Sequence, residues 1–351
     1  MSAVSDPAVP DLVAGARELL RSCLAVTGDD RVLVITDRRT RPLADVIVAE
    51  ARALTRAALA VVPEVTGDGY ARARAEIGRA LDAHRPTVTV FAAADPGDLV
   101  AWDGTFWARL DQLGARHAHM PALDDVCLGV GMAVDYAEVA RFTLAVRDRL
   151  TGCRSVRITS ATGTELTLTC APERPWTPFT GLYGCAGEGG RLPQGEVFCT
   201  PVDAEGMLAV SVVGYPFNSA TGLLPEPLLI EVAGGRAVSL RHPDRELESR
   251  LRDWLGGAPD GLRLGELALG TNRALPALTG NLLFDENVPG THLAFGHPFP
   301  EFTGADWESP VHVDMVVERP SVRVDGQAVL TDGTYAGSFD DNRREQNRSR
   351  A

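Results

Sequence analysis

The chain contains no lysine; all 34 of its basic residues are arginine. That absence excludes Schiff-base catalysis and the lysine of a Walker A phosphate loop. Positive charge is scarce overall, since 47 acidic residues bring the formal net charge to −13. Such a surface repels phosphate backbones and anionic lipids, so no nucleic acid or membrane partner is expected. No apolar run approaches the ~20 residues that cross a bilayer. The start, MSAVSDPAVPDL, lacks the basic and apolar stretches of a signal peptide, which makes the cytoplasm the expected compartment. None of the six cysteines, at 23, 127, 153, 170, 185 and 199, forms a Cys-x-x-Cys pair. In a reducing compartment they are expected to be free and mostly buried thiols. A His-Glu-x-x-His zinc helix and a Gly-x-Ser-x-Gly nucleophile elbow are also missing.

What is present divides the 351 residues into two textures. In the first, residues 11–26 carry apolar side chains at helical spacing, and RVLVIT (31–36) is a short β-branched run. PLADVIVAEARALTRA, LAVVPEV, GYARARAEIGRALDAH and TVTVFAA then repeat helix and strand in alternation. This order predicts an α/β N-terminal domain over 1–130, a parallel sheet with flanking helices. The first strand runs into DRRTRP, with no glycine to admit a phosphate, so a scaffold or dimerisation role is expected there.

A helix near 134–150 leads to short alternating runs broken by Gly, Pro and Asn. They predict an α+β, mainly antiparallel C-terminal domain over 131–335, with one helix in RELESRLRDWL (245–255). GCAGEGG (184–190) reads as a flexible loop, and the charged tail 336–351 as disordered. His84, His117, His119 and His242 are expected in surface or capping positions.

Ionisable side chains fall where pattern predicts burial in four segments of this second half: Glu196 in LPQGEVFCTP, Glu266 in LGELALGTN, Glu286 and His292 in FDENVPGTHLAFGHPFP, and His312 with Asp314 in SPVHVDMVV. In an extended strand His312 and Asp314 share one face while Val311, Val313 and Met315 take the other. Isolated buried carboxylates cost several kcal/mol unless paired or metal-bound. With no lysine to pair them, the common partner is a divalent cation; the pattern alone leaves scattered structural polar residues as the other reading. This N/O set suits zinc, manganese, cobalt or ferrous iron, and offers enough ligands for two ions.

LPQGEVFCTPVDAEG, GELALGTN, FDENVPGTHLAFG and HVDM, in this order, resemble the aminopeptidase T family of metallo-aminopeptidases. GTELTL (163–168) and LGARHAHMPALDD (113–125) resemble it too, so the likeness covers most of 113–331. The resemblance implies a homodimer that hydrolyses the N-terminal residues of peptides through a co-catalytic pair of divalent ions (Zn, Co or Mn). It places Glu196, Glu266, Glu286, His292, His312 and Asp314 as metal ligands, with Glu266 as bridging ligand or general base. Phe299, which stands where the family usually has a tyrosine, would contact the substrate or support the ligands; His297, five residues past His292, would do the same or face solvent from its loop. A different reaction class is also open. The ring-cleaving 2,5-dihydroxypyridine dioxygenase resembles the chain in the closing His-x-Asp, but has a histidine in place of Glu266. On that resemblance one Fe(II) would be held by His292, His312 and Asp314, in an oxygenase or a natural-product biosynthetic enzyme acting on a small molecule.

Overall fold

The computed structural model describes residues 9–62, 69–94 and 104–337. The end of LAVVPEV and nearly all of the tail lie outside these residues. Two compact units divide the chain: Met1–Ala140 with Gly181–Gln194, and Arg141–Thr180 with Gly195–Ala351. The division differs from a single cut at residue 130 because one segment of the second half returns to the first unit.

In the first unit, β1 (Arg31–Thr36), β2 (Arg56–Val61), β3 (Val88–Phe91), β4 (Arg116–His119) and β8 (Gly189–Arg191) form a parallel sheet in the order β2-β1-β3-β4-β8. Helices α1 (Leu12–Glu18), α2 (Arg41–Arg52), α3 (Gly69–His84) and α4 (Gly104–Leu113) connect or flank the strands. The apolar run RVLVIT is buried from Val32 onward, as a strand covered on both faces must be. On α2, Leu43, Ala44, Ile47, Val48 and Ala51 make the buried stripe. Among the described residues no helix is long and apolar enough to cross a membrane.

Two expectations fail in this unit. Part of GCAGEGG is the strand β8, and its glycines allow the close pairing: a Cβ on Gly189 would stand 2.8 Å from the His117 carbonyl oxygen. His117 and His119 are not turn residues. Both are buried on β4, with rings against Phe91, Phe106 and Trp107. Burial holds the His117 ring down at about 3, so it is a neutral core group bonded to Thr89 Oγ1 at 2.7 Å.

The second unit holds one large antiparallel sheet. Its strands are β5 (Ser155–Thr159), β6 (Glu165–Thr169), β7 (Thr177–Phe179), β9 (Glu196–Cys199), β10 (Asp203–Val213), β11 (Leu223–Ala233), β12 (Arg236–Arg241), β13 (Leu264–Gly270), β14 (Gly290–Gly296), β15 (His312–Val317), β16 (Ser321–Val324), β17 (Gln327–Thr331) and β18 (Thr334–Tyr335). The main path runs β18-β17-β16-β5-β6-β10-β15-β14-β13-β9-β7, with β11 and β12 branching from β10. Helix α5 (Tyr136–Leu150) supplies Phe142, Val146 and Leu150 to the core of this unit. Helix α6 (Arg245–Gly256), capped by the Asp244 carboxylate at Glu246 and Leu247 N–H, adds Leu247, Leu251 and Leu255.

Alternation sorts the neighbouring strands β9, β13, β14 and β15. Val197, Cys199, Leu267, Leu269, Leu293, Phe295, Val313, Met315 and Val317 all enter one apolar cluster. Each fully buried Leu or Val contributes ~1.5–3 kcal/mol. A slip of one residue would exchange these side chains for Glu266, His292 and Asp314, so the register is strongly specified.

At one point alternation is broken. The pairing of β13 with β14 shifts between Leu264, opposite Phe295, and Glu266, opposite Ala294. This bulge lets Leu264 join the core although Glu266, two residues on, belongs to the other face. Gly265 and Gly296 make it possible, since a Cβ on Gly265 would stand 2.2 Å from the Gly296 carbonyl oxygen. Gly296 itself has φ +102, and its Cβ would lie 2.0 Å from the Val311 carbonyl oxygen. Gly296→Ala is therefore expected to cost more than about 2 kcal/mol. Urea denaturation reads this directly; a midpoint within error of the parent would refute it.

Candidate metal centre

The strands β15, β14, β13 and β9 are consecutive neighbours, and their second face carries the ionisable groups. Ala294 pairs with Glu266 on one side and Asp314 on the other, while His312 lies opposite Gly296 and Glu196 opposite Gly270. Strands stand ~4.8 Å apart, so side chains on one face at adjacent registers converge. The small residues Ala294, Gly296 and Gly270 leave room between them.

Two groups of ligand atoms result: Glu196, Glu266 and His292, and Glu266, His312 and Asp314. Within each group the atoms lie within 4.8 Å of one another. His292 Nε2 is 3.4 Å from Glu196 Oε2 and 3.5 Å from Glu266 Oε1. His312 Nε2 is 3.6 Å from Glu266 Oε2 and 3.1 Å from Asp314 Oδ1. Glu266 is thus common to both groups, with one oxygen turned to each histidine. Two ligands at ~2.0–2.1 Å from a tetrahedral ion stand about 3.4 Å apart, whereas an N–H···O hydrogen bond is ~2.9–3.0 Å. Three of the four separations match the first spacing better.

The decisive test of fit is a hydrogen bond. His312 Nδ1 lies 2.8 Å from the carbonyl oxygen of His297. A carbonyl can only accept, so Nδ1 carries the proton. In a neutral ring Nε2 is then a bare lone pair facing two carboxylates. That arrangement requires a cation, either a second proton or a metal ion. Burial works against charging either ring. Nevertheless the Glu266 hydrogen bond, with the charges of Glu196, Glu266 and Asp314, pushes His292 up to about 10. Against the same burial, Asp314 and then Glu266 push His312 up to about 9. The donor set of imidazole nitrogens and carboxylate oxygens fits a divalent ion such as zinc.

Not every expected residue joins. Glu286 is buried, but it closes the helical turn Leu282–Asp285, where its backbone N–H donates to the carbonyls of Leu282 and Phe284. It is in neither group of converging atoms. Its neighbour Asp285 is structural, accepting from Thr279 N–H, Thr279 Oγ1 and Gly280 N–H at 2.7–2.9 Å. His297 acts on the set through its backbone carbonyl; its own Nδ1 accepts from Phe299 N–H at 3.0 Å. The ring of Phe299 faces the set, its centroid 4.7 Å from that of His312.

One contributor escaped the sequence reading. Gly214 donates its N–H to the Asp314 carbonyl at 2.7 Å, and a Cβ there would press on the Asp314 side chain at 3.0–3.1 Å. A glycine beside a strand end gives no signal of that closeness. A cavity of about 670 Å³ in the first unit, lined by Arg38, Arg41, Arg72 and Arg79 among others, contains none of the ligand residues.

A search of curated protein sequences returns no match. Among solved structures, wild-type AmpT from Thermus thermophilus is similar with a TM-score of 0.67 at 17% identity, covering 93% of this chain and 98% of its own. The 2,5-dihydroxypyridine dioxygenase from Pseudomonas putida is similar with a TM-score of 0.65 at 16% identity, covering 94% and 98%. At these identities the likeness is one of fold. The model of the thermophilic metalloprotease (M29) family matches residues 134–338, which is more than half of the chain and includes every residue of the two ligand groups. The chain belongs to the thermophilic metalloprotease (M29) family.

Proposed function

We propose that this protein is a metal-dependent aminopeptidase, with two divalent ions held by Glu196, Glu266, His292, His312 and Asp314. The observation that carries the reading is the shared carboxylate: two three-residue groups meet at Glu266, which turns one oxygen to each histidine. Divalent ions in such a set supply Lewis acidity, polarising a carbonyl and easing the deprotonation of water. Glu196 and His292 define one end of the set, and His312 with Asp314 the other. The His297 carbonyl keeps the Nε2 lone pair of His312 directed inward. The proton of the attacking water passes to a carboxylate of the set. Glu266 is our choice, as the member common to both groups. The Phe299 ring offers no hydrogen bond, so its part is apolar surface and shape.

Protein stripped of metal and reloaded with cobalt or zinc is expected to release N-terminal residues from short peptides, and the chelated protein to release none. A folded, metal-loaded protein that cleaves no member of a broad peptide panel refutes the assignment.

A second reading has a specific support, the fold likeness to a ring-cleaving dioxygenase at almost the same TM-score. In that reading His292, His312 and Asp314 form a facial triad around one ferrous ion. Retention of Glu266, which joins the two groups, favours hydrolysis. Metal analysis of aerobic and anaerobic preparations separates the two: a pair of zinc-like ions per chain, or one oxygen-sensitive iron.

A further inference from the structure

The candidate metal set opens onto an aromatic wall. Phe299 has left-handed backbone angles, φ 50 and ψ 67, a region that disfavours bulky side chains. Among the described residues it is the one aromatic side chain so placed. The surrounding loop imposes this conformation. Phe299 N–H donates to His297 Nδ1 at 3.0 Å, and its carbonyl accepts from the Phe302 and Thr303 N–H groups at 2.9 and 3.0 Å. The preceding Pro298 carbonyl accepts from Thr303 Oγ1 and Thr200 Oγ1 at 2.8 and 3.1 Å. Strain held this firmly beside a chemical site points to a positional role for the ring.

The position is against His312, with ring centroids 4.7 Å apart. From there the wall continues through three more rings. Phe198, on the same face of β9 as Glu196, lies 6.5 Å from Phe299; Phe302 and Phe179 lie 6.3 and 4.9 Å from Phe198. Phe198 is buried behind the others, Phe299 and Phe179 are half-buried, and Phe302 is 41% exposed. The wall therefore begins on a candidate ligand, is backed by Phe198 and reaches solvent at Phe302.

We infer that this wall receives the first side chain of the substrate and selects large apolar or aromatic N-terminal residues. The inference rests on the aminopeptidase reading. An N-terminal residue carries its side chain on the atom between its amine and its carbonyl. A substrate held by those two groups at the metal set must place that side chain beside the set, where the phenyl rings stand. Apolar rings bury an apolar side chain favourably and reject a charged one, which would lose its hydration without a partner.

Equilibrium binding tests this apart from turnover. Titration calorimetry of the metal-loaded protein with L-phenylalaninamide, L-alaninamide and L-argininamide is expected to show about tenfold tighter binding of the first over the other two. Phe302→Ala, at an exposed position that tolerates truncation, should shrink that ratio several-fold. Phe299→Leu should do the same, and should shift the kcat/KM ratio of phenylalanyl over alanyl peptides in parallel. Equal binding of the three amides by the parent protein overturns the inference, as does an unchanged ratio in both variants. A protein that discriminates the amides but hydrolyses no peptide sinks the aminopeptidase reading and leaves the wall standing. One that hydrolyses peptides without regard to the first residue does the reverse.

Discussion

Glu266→Gln is expected to lower kcat/KM for peptide hydrolysis by about a thousandfold or more, within the range general-base removal alone can reach. Glutamine keeps the volume and shape of the buried side chain, which is 5% exposed, so the strand and its register should survive. What is lost is the negative charge common to both groups, and with it one ligand of each. An amide also directs an NH₂ group at one of the two histidine nitrogens, where the carboxylate presents only acceptors. Metal content should fall together with activity, whereas circular dichroism should not change. Turnover and metal content both at the parent level would remove Glu266 from the centre of the mechanism. Lost turnover with full metal content would assign it to proton transfer instead of ion binding.

The second large effect is on stability. Without metal, His292 and His312 are charged in the folded state, raised to about 10 and about 9 from an ordinary value of 6.5. A raised histidine contributes stability that is fully present below about pH 6.5 and lost as pH rises through the folded value. The chelated protein should therefore lose thermal stability between about pH 6.5 and 10. A bound ion reverses the trend, because it takes the place of those protons and is held more tightly as they leave. An ion at a thousand times its Kd adds about 4 kcal/mol, which for a unit of this size raises Tm on the order of 10 °C. The gap in Tm between zinc-loaded and chelated protein should thus widen from pH 6.5 to pH 9. Coincident melting curves at both values would show that the set holds no ion. A gap that stays constant with pH would show that the histidines are neutral in the metal-free protein.

Much of the architecture was legible because it follows from local periodicity. RVLVIT and GYARARAEIGRALDAH coincide with β1 and α3 to the residue. The alternation in VHVDMVV correctly assigned Val313 and Met315 to the core and His312 with Asp314 to the opposite face. His117 and His119 were misplaced for the same reason inverted. Polar residues on a short strand look like turn residues until the neighbours that bury them, Phe91, Phe106 and Trp107, are brought alongside. Glycine was the other source of error, as in GCAGEGG. A residue without a side chain serves a flexible loop and a crowded strand equally well, and only the His117 backbone behind Gly189 tells the two apart.

By itself, then, the order of residues determined which side chains are available and which face each one takes. Strand period is a property of a few consecutive residues, and the family motifs lie within such stretches. Convergence was decided elsewhere. Strands distant in the chain had to pair in the order β15-β14-β13-β9 before Glu266 could turn its two oxygens to His292 and His312. The bulge at Gly265, the carbonyl of His297 that sets the His312 tautomer, and the ring of Phe299 against His312 depend on the same pairing. Hydrogen bonds between strands, not the local preferences of each segment, set those distances.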